Sequence, residues 1–150
     1  MTRLFFGILL IVSSSTYGQD RLKIEHKIDS IWSIKVRSFC KSFKSEFDSV
    51  RYRVCYEIKS KQLIVVQETH YPVVGGLTPW WIYTYHFRNG HLILMTRSNN
   101  TNLKDVRHQV AQYYFENDSL VYQNEQGTSI HDIQTEQMKA DSLKRKFSWP

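Results

Sequence analysis

Trp80-Trp81-Ile82-Tyr83-Thr84-Tyr85-His86-Phe87-Arg88, then Asn89-Gly90, then His91-Leu92-Ile93-Leu94-Met95-Thr96-Arg97 is the stretch that decides the fold. Two runs rich in aromatic and β-branched residues flank Asn-Gly, a dipeptide suited to a type I′ turn because both of its central positions need positive φ. The stretch predicts a β-hairpin in which Arg88 faces His91 and Phe87 faces Leu92.

Two further hairpins follow from the same logic on either side. Arg51-Tyr52-Arg53-Val54-Cys55-Tyr56-Glu57-Ile58 alternates polar with apolar and resumes from Leu63 to Thr69, while Val110 to Glu116 and Leu120 to Gln123 flank Asn117-Asp118. The three can be superposed through Ile58/Leu63, Phe87/Leu92 and Phe115/Leu120, each preceded by an aromatic residue: Tyr56, Tyr85 and Tyr113. An internal repeat and the ordinary likeness of two-residue hairpins in a one-sided sheet both account for this.

Upstream, Ile24, Ile28, Ile31, Trp32, Val36, Phe39, Phe43 and Phe47 recur at three- and four-residue steps without Gly or Pro, predicting an amphipathic helix from Leu22 to Phe47. Its opposite face carries Lys23, Lys27, Lys41 and Lys44, which read as a solvated face. Downstream, Ile130, Ile133, Met138, Leu143, Phe147 and Trp149 predict a helix from about Gln134 to Phe147. The fold expected is α+β: an N-terminal amphipathic helix packed on a mainly antiparallel six-stranded meander of three hairpins, with a C-terminal helix.

Strict alternation through the turns sorts the side chains. Tyr52, Val54, Tyr56, Ile58, Val65, Tyr83, Tyr85, Leu94, Tyr113, Phe115 and Tyr122 fall on an aromatic face for the first helix to cover. The other face mixes Glu57, Glu68, His86, Arg88 and Glu116 with Val66, Trp80, Ile82, Ile93, Met95 and Tyr114, and the C-terminal helix is expected over part of it. Cys40 then lies beside the stripe of the first helix and Cys55 on the face turned away, which argues against a bridge, whereas export argues for one. Cys40 and Cys55 remain the candidates for a disulfide.

Arg3, the apolar run Leu4 to Val12 and the small residues Ser13 to Gly18 predict a cleaved signal peptide over 1–18, with residues 19–150 as a single domain that is periplasmic or secreted. The apolar run is roughly half of the ~20 residues that a membrane span requires. Lys and Arg number 20 against 14 Asp and Glu. That balance favours an acidic polymer or an envelope or extracellular protein as partner; scattered charges and export argue against nucleic acid.

No catalytic, metal-binding or nucleotide-binding signature is present, and no cofactor is implied. Of the six histidines, His86 and His91 are nearest in sequence, but no carboxylate or Cys completes a tetrahedral set. Glu57 and Glu116 could pair as hydrolytic acids beside His86 only if their hairpins were neighbours. The leading expectation is a non-catalytic binding protein that uses Trp80, Ile82, His86, Arg88, Met95 and Tyr114, with the loop Val73 to Trp81. Its alternative is a carrier of small hydrophobic ligands whose cavity is lined by Tyr83, Tyr85, Tyr113 and Tyr122.

Asp29-Ser30-Ile31, Asp48-Ser49-Val50, Asp118-Ser119-Leu120 and Asp141-Ser142-Leu143 resemble an O-glycosylation acceptor triplet, although Asp and Ser also favour helix ends and turns. Asn99-Asn100-Thr101 and Asn117-Asp118-Ser119 fit the N-glycan acceptor.

Overall fold

The computed structural model describes residues 21–31, 38–45, 49–71, 80–100, 109–130 and 132–149. The expected signal segment and most of the Val73 to Trp81 loop lie outside them. The chain forms two compact units, Met1–Ile34 and Lys35–Pro150. In the first, residues 21–31 form helix α1, with an Arg21–Glu25 ion pair of 3.0 Å at the i,i+4 spacing.

The second unit carries β1 (Ser38–Lys44), β2 (Val50–Glu57), β3 (Leu63–His70), β4 (Trp80–Arg88), β5 (His91–Asn100), β6 (Val110–Glu116), β7 (Ser119–Gln126) and helix α2 (Ile133–Lys146). All seven strands join one antiparallel sheet in chain order, β1 to β7. The sheet is therefore seven-stranded rather than six-stranded. The extra strand is β1, cut from what the apolar spacing predicted to be the second half of a long helix. A four-residue step between Phe39 and Phe43 satisfies a two-residue period as well as a helical one. The intervening Ser38, Cys40 and Ser42 are weak helix formers, so nothing local resists extension.

Strand β1 places Cys40 directly opposite Cys55, and the two are joined by a disulfide with Cα atoms 4.1 Å apart. The geometric argument against the bridge fails because Cys40 is on a strand. The cross-link closes a 15-residue separation, for which chain entropy gives about 3 kcal/mol. Replacing both cysteines with serine is expected to lower unfolding stability by about that amount, read as a shift in urea midpoint that wild type reproduces in reductant.

Turn chemistry behaves as the dipeptides require. Asn89 and Gly90 have φ of 51° and 80°, and Asn117 and Asp118 have 51° and 62°, giving two turns with positive φ at both central residues. The first hairpin has a longer turn in which Lys61 has φ of 55° and the Glu57 amide donates to the Gln62 carbonyl. Ile58 thus stands exposed in a turn instead of inside the sheet.

One backbone feature recurs in all three hairpins. Tyr56 faces Leu63 while Cys55 faces Val65; Phe87 faces Leu92 while His86 faces Leu94; Phe115 faces Leu120 while Tyr114 faces Tyr122. One residue is extra each time, Ile64, Ile93 or Val121, and it always follows the leucine that leaves the turn. Each is a β-bulge, where two residues oppose one. The bulges reverse the facing expected for the strand that follows: Val66 and Met95 join the aromatic face, while Val65, Leu94 and Tyr122 leave it.

That face is covered by α2. Val54, Tyr56, Val66, Tyr85, Phe87, Met95, Tyr113 and Phe115 pack with Ile130, Ala140, Leu143 and Phe147, and Ile133 lies against the same cluster. The C-terminal helix thus sits on the aromatic face and not on the mixed one. Ile133, Ala140, Leu143 and Phe147 lie at helical spacing on one stripe, while Met138 points to solvent. Asp132 caps the helix by accepting from the Thr135 amide at 2.9 Å. Gln137 donates to the Asp118 carbonyl at 3.0 Å and Lys144 to the Gly90 carbonyl at 2.8 Å, tying α2 to both tight turns.

Candidate functional site

The bulge in β3 has a chemical result, because it places Glu68 on the covered face beside Tyr52 and Tyr83. Only 2% of the Glu68 surface is accessible. A carboxylate so placed needs partners. Lys139 of α2 supplies an ammonium 2.6 Å away, and His70 Nε2 lies at 3.4 Å from the same oxygen. The Lys139 ammonium also stands over the Tyr83 ring at 4.9 Å. Next to it, the buried Tyr85 hydroxyl donates to Glu136 at 2.6 Å.

Burial works to raise the pKa of Glu68, but the hydrogen bonds from His70 and Lys139 and their charges outweigh it, and the carboxyl is held below its ordinary value. Burial works to lower Lys139, yet its bond to Glu68 and the negative charges of Glu68 and Glu136 raise it. Tyr85 is pushed far up by burial and by Glu68. Each group is thereby held in the protonation state it has at neutral pH. The cluster therefore fastens α2 to the sheet.

A second polar arrangement does the same farther along the face. Tyr113 donates to Glu125 and accepts from the Ile130 amide at 2.7 Å, and burial with Glu125 pushes its hydroxyl up to about 12. Arg97 donates to the Ser129 carbonyl at 2.6 Å while its guanidinium lies 4.0 Å from the Trp81 ring centroid.

The opposite face of the sheet carries an aromatic row at the end remote from the hairpin turns. Arg51 faces Thr69, and Thr69 faces Ile82. Tyr71 and Trp80 continue this face, with ring centroids 5.1 Å apart, and the Arg51 guanidinium lies 4.9 Å from the Tyr71 ring. Trp80 is 36% exposed. Arg51 and Ile82 lie within β2 and β4, Trp80 begins β4 opposite Asn100 of β5, and the Tyr71 amide donates to the Ser49 carbonyl at 2.9 Å. No match to this chain is found among protein families, curated proteins or solved structures.

Of the residues singled out from the sequence, Trp80, Ile82, His86, Arg88 and Tyr114 share this second face by register. Met95 does not: it is fully buried in the core under α2, moved there by the Ile93 bulge. His86 and Tyr114 lie buried near the middle of the sheet, and burial lowers His86 to about 4, so it is neutral at neutral pH. Trp80 and Ile82 form one end of the face and Arg88 the other. Arg51 and Tyr71 escape the sequence reading. Their signal would have been the aromatic residue immediately before Pro72, two positions beyond the Thr69 that faces Arg51.

Two other expectations are corrected. Glu57 on β2 and Glu116 on β6 are four strand positions apart, roughly 19 Å at about 4.8 Å per strand, too far to act together. Tyr83, Tyr85 and Tyr113 share the covered face but Tyr122 lies on the other, so the four cannot line one cavity. His91 lies 3.0 Å from Asp118, and among the described residues no group of three or more His, Cys, Asp or Glu could hold a metal ion. Asn99 is 1% exposed and its side-chain oxygen accepts from the Gln109 amide at 2.7 Å, which withdraws it as a glycan acceptor in the folded chain.

Proposed function

We propose that the chain is a non-catalytic binding protein, exported by its N-terminal segment to the periplasm or the exterior, and that it engages a partner protein through the Arg51–Tyr71–Trp80–Ile82 end of the sheet. The single observation that carries this reading is the half-open aromatic row with its arginine at one end of the sheet. Tyr, Trp and Arg are the residues that most often dominate binding energy at protein interfaces. The titratable cluster under α2 is inward and ties the helix to the sheet. The disulfide is compatible with an exported protein.

The test is recovery of a partner from envelope and culture extracts by wild type and by Trp80→Ser. Specific recovery of one protein by wild type and its loss with the variant is the expected outcome, with a cost of about 2 kcal/mol or more, some thirtyfold in affinity. Equal recovery by both chains, with the fold of each verified by circular dichroism, would move the interface elsewhere.

A further inference from the structure

At the other end of the strands a second surface has different chemistry. Phe39 on β1 faces Tyr56, and the Tyr56 ring meets Trp149 edge-on at 5.1 Å. The Trp149 ring carries two ammonium groups, Lys41 at 5.5 Å and Lys61 at 5.4 Å, and Lys41 also stands 5.5 Å from the Phe39 ring. Ile58 belongs to the same turn as Lys61. Phe39 is 45% exposed, Ile58 55% and Trp149 38%. Phe39, Trp149 and the two lysines thus form one corner, with Ile58 exposed in the turn that leads to Lys61, and the basic last turn of α2, Lys144 to Lys146, comes just before Trp149 in the chain.

We propose that this corner docks on the surface of an anionic lipid bilayer. Exposed aromatic and aliphatic groups interleaved with lysines suit the boundary between headgroups and acyl chains, where the rings enter the apolar edge and the ammonium groups reach anionic headgroups. The lysine content separates this surface from a protein interface, whose core is depleted in lysine. Ile58 and Phe39 separate it from a site for a soluble polyanion, which would engage the lysines and leave the apolar groups in water.

The test uses the whole chain and sedimentation with vesicles of phosphatidylcholine alone or mixed with phosphatidylglycerol. The apolar run near the N-terminus is common to all variants, so differences between them report the corner. Wild type partitions onto the mixed vesicles in preference to the neutral ones, and added salt reduces the preference. Lys41→Gln/Lys61→Gln lowers that partition roughly 25-fold, taking each lysine as about fivefold. Phe39→Ser/Ile58→Ser, with charges intact, lowers it on the order of tenfold. All four positions are open to solvent or in a turn, and unchanged near-ultraviolet circular dichroism verifies the fold of each variant. Equal partition of wild type and both variants overturns the proposal. So does a loss confined to the lysine variant and accompanied by wild-type binding to soluble dextran sulfate, which would make the corner a polyanion site.

Discussion

Replacing Met95 with lysine leaves the chain unable to hold its native fold, whereas the same change at Ile93, two residues away, leaves it folded with a change of about 1 kcal/mol or less. Strict alternation would put both side chains on one face and predict similar outcomes. The bulge at Ile93 separates them: Met95 is fully buried among Tyr85, Tyr113 and their neighbours, while Ile93 is the residue without a cross-strand partner in β4 and is partly exposed. A lysine forced into the core loses the packing of methionine, about 2–5 kcal/mol, and adds a desolvation cost of several kcal/mol for its charge. Together these approach the whole stability of a small domain, about 5–15 kcal/mol. Thermal melts of the two variants decide it; comparable melting would place the register elsewhere.

Lys139→Ala is the second large effect, with an expected loss of about 3–5 kcal/mol, because it removes the nearest cation from the buried Glu68 carboxylate and leaves it with His70 at 3.4 Å and the Tyr52 hydroxyl. The companion variant Glu68→Gln/Lys139→Met, which removes both charges, should recover most of that loss, since a buried ion pair roughly balances its own desolvation. The pH dependence has a definite sign. The carboxyl of Glu68 is lowered by folding, so its contribution is present above its ordinary value of 4.5 and is lost as pH falls through the folded value. Lys139 is raised, so its contribution is present below 10.5 and is lost as pH rises through the folded value. Both arms should flatten in the double variant. Urea midpoints measured from acid to alkaline pH supply the check, and unchanged arms would show that the pair does not contribute them.

The hairpins were legible because their turns announce themselves. Asn89-Gly90 and Asn117-Asp118 tolerate positive φ, and the flanking alternation is local information. What the alternation could not reveal was the extra residue after each turn. A β-bulge costs little, and Ile93 or Val121 looks like any other strand residue, so the facing of Val66, Glu68 and Met95 came out reversed. The helix at the C-terminus was readable from Ile133, Leu143 and Phe147, but the face it covers depends on those same bulges. Strand β1 was hidden by the Phe39–Phe43 spacing, which serves two periods equally. The candidate site was partly visible: Trp80 and Ile82 stood out as apolar residues on the mixed face. Their companions Arg51 and Tyr71 come from the ends of other strands, and only pairing brings them alongside.

The order of the strands in the sheet equals their order along the chain. Every backbone ladder is consequently made between neighbours in sequence, and the loop-closure entropy of assembling the sheet is small. The distant meetings belong to α2, whose Lys139 returns to β3 and whose Phe147 carbonyl accepts from Tyr56 at 2.9 Å across 91 positions of chain. Chains dominated by near-neighbour contacts form quickly for their size, while far-separated contacts slow the search. In kinetic language the meander can zip hairpin by hairpin, and the act that completes its hydrophobic layer must wait for α2, which follows every strand of the sheet.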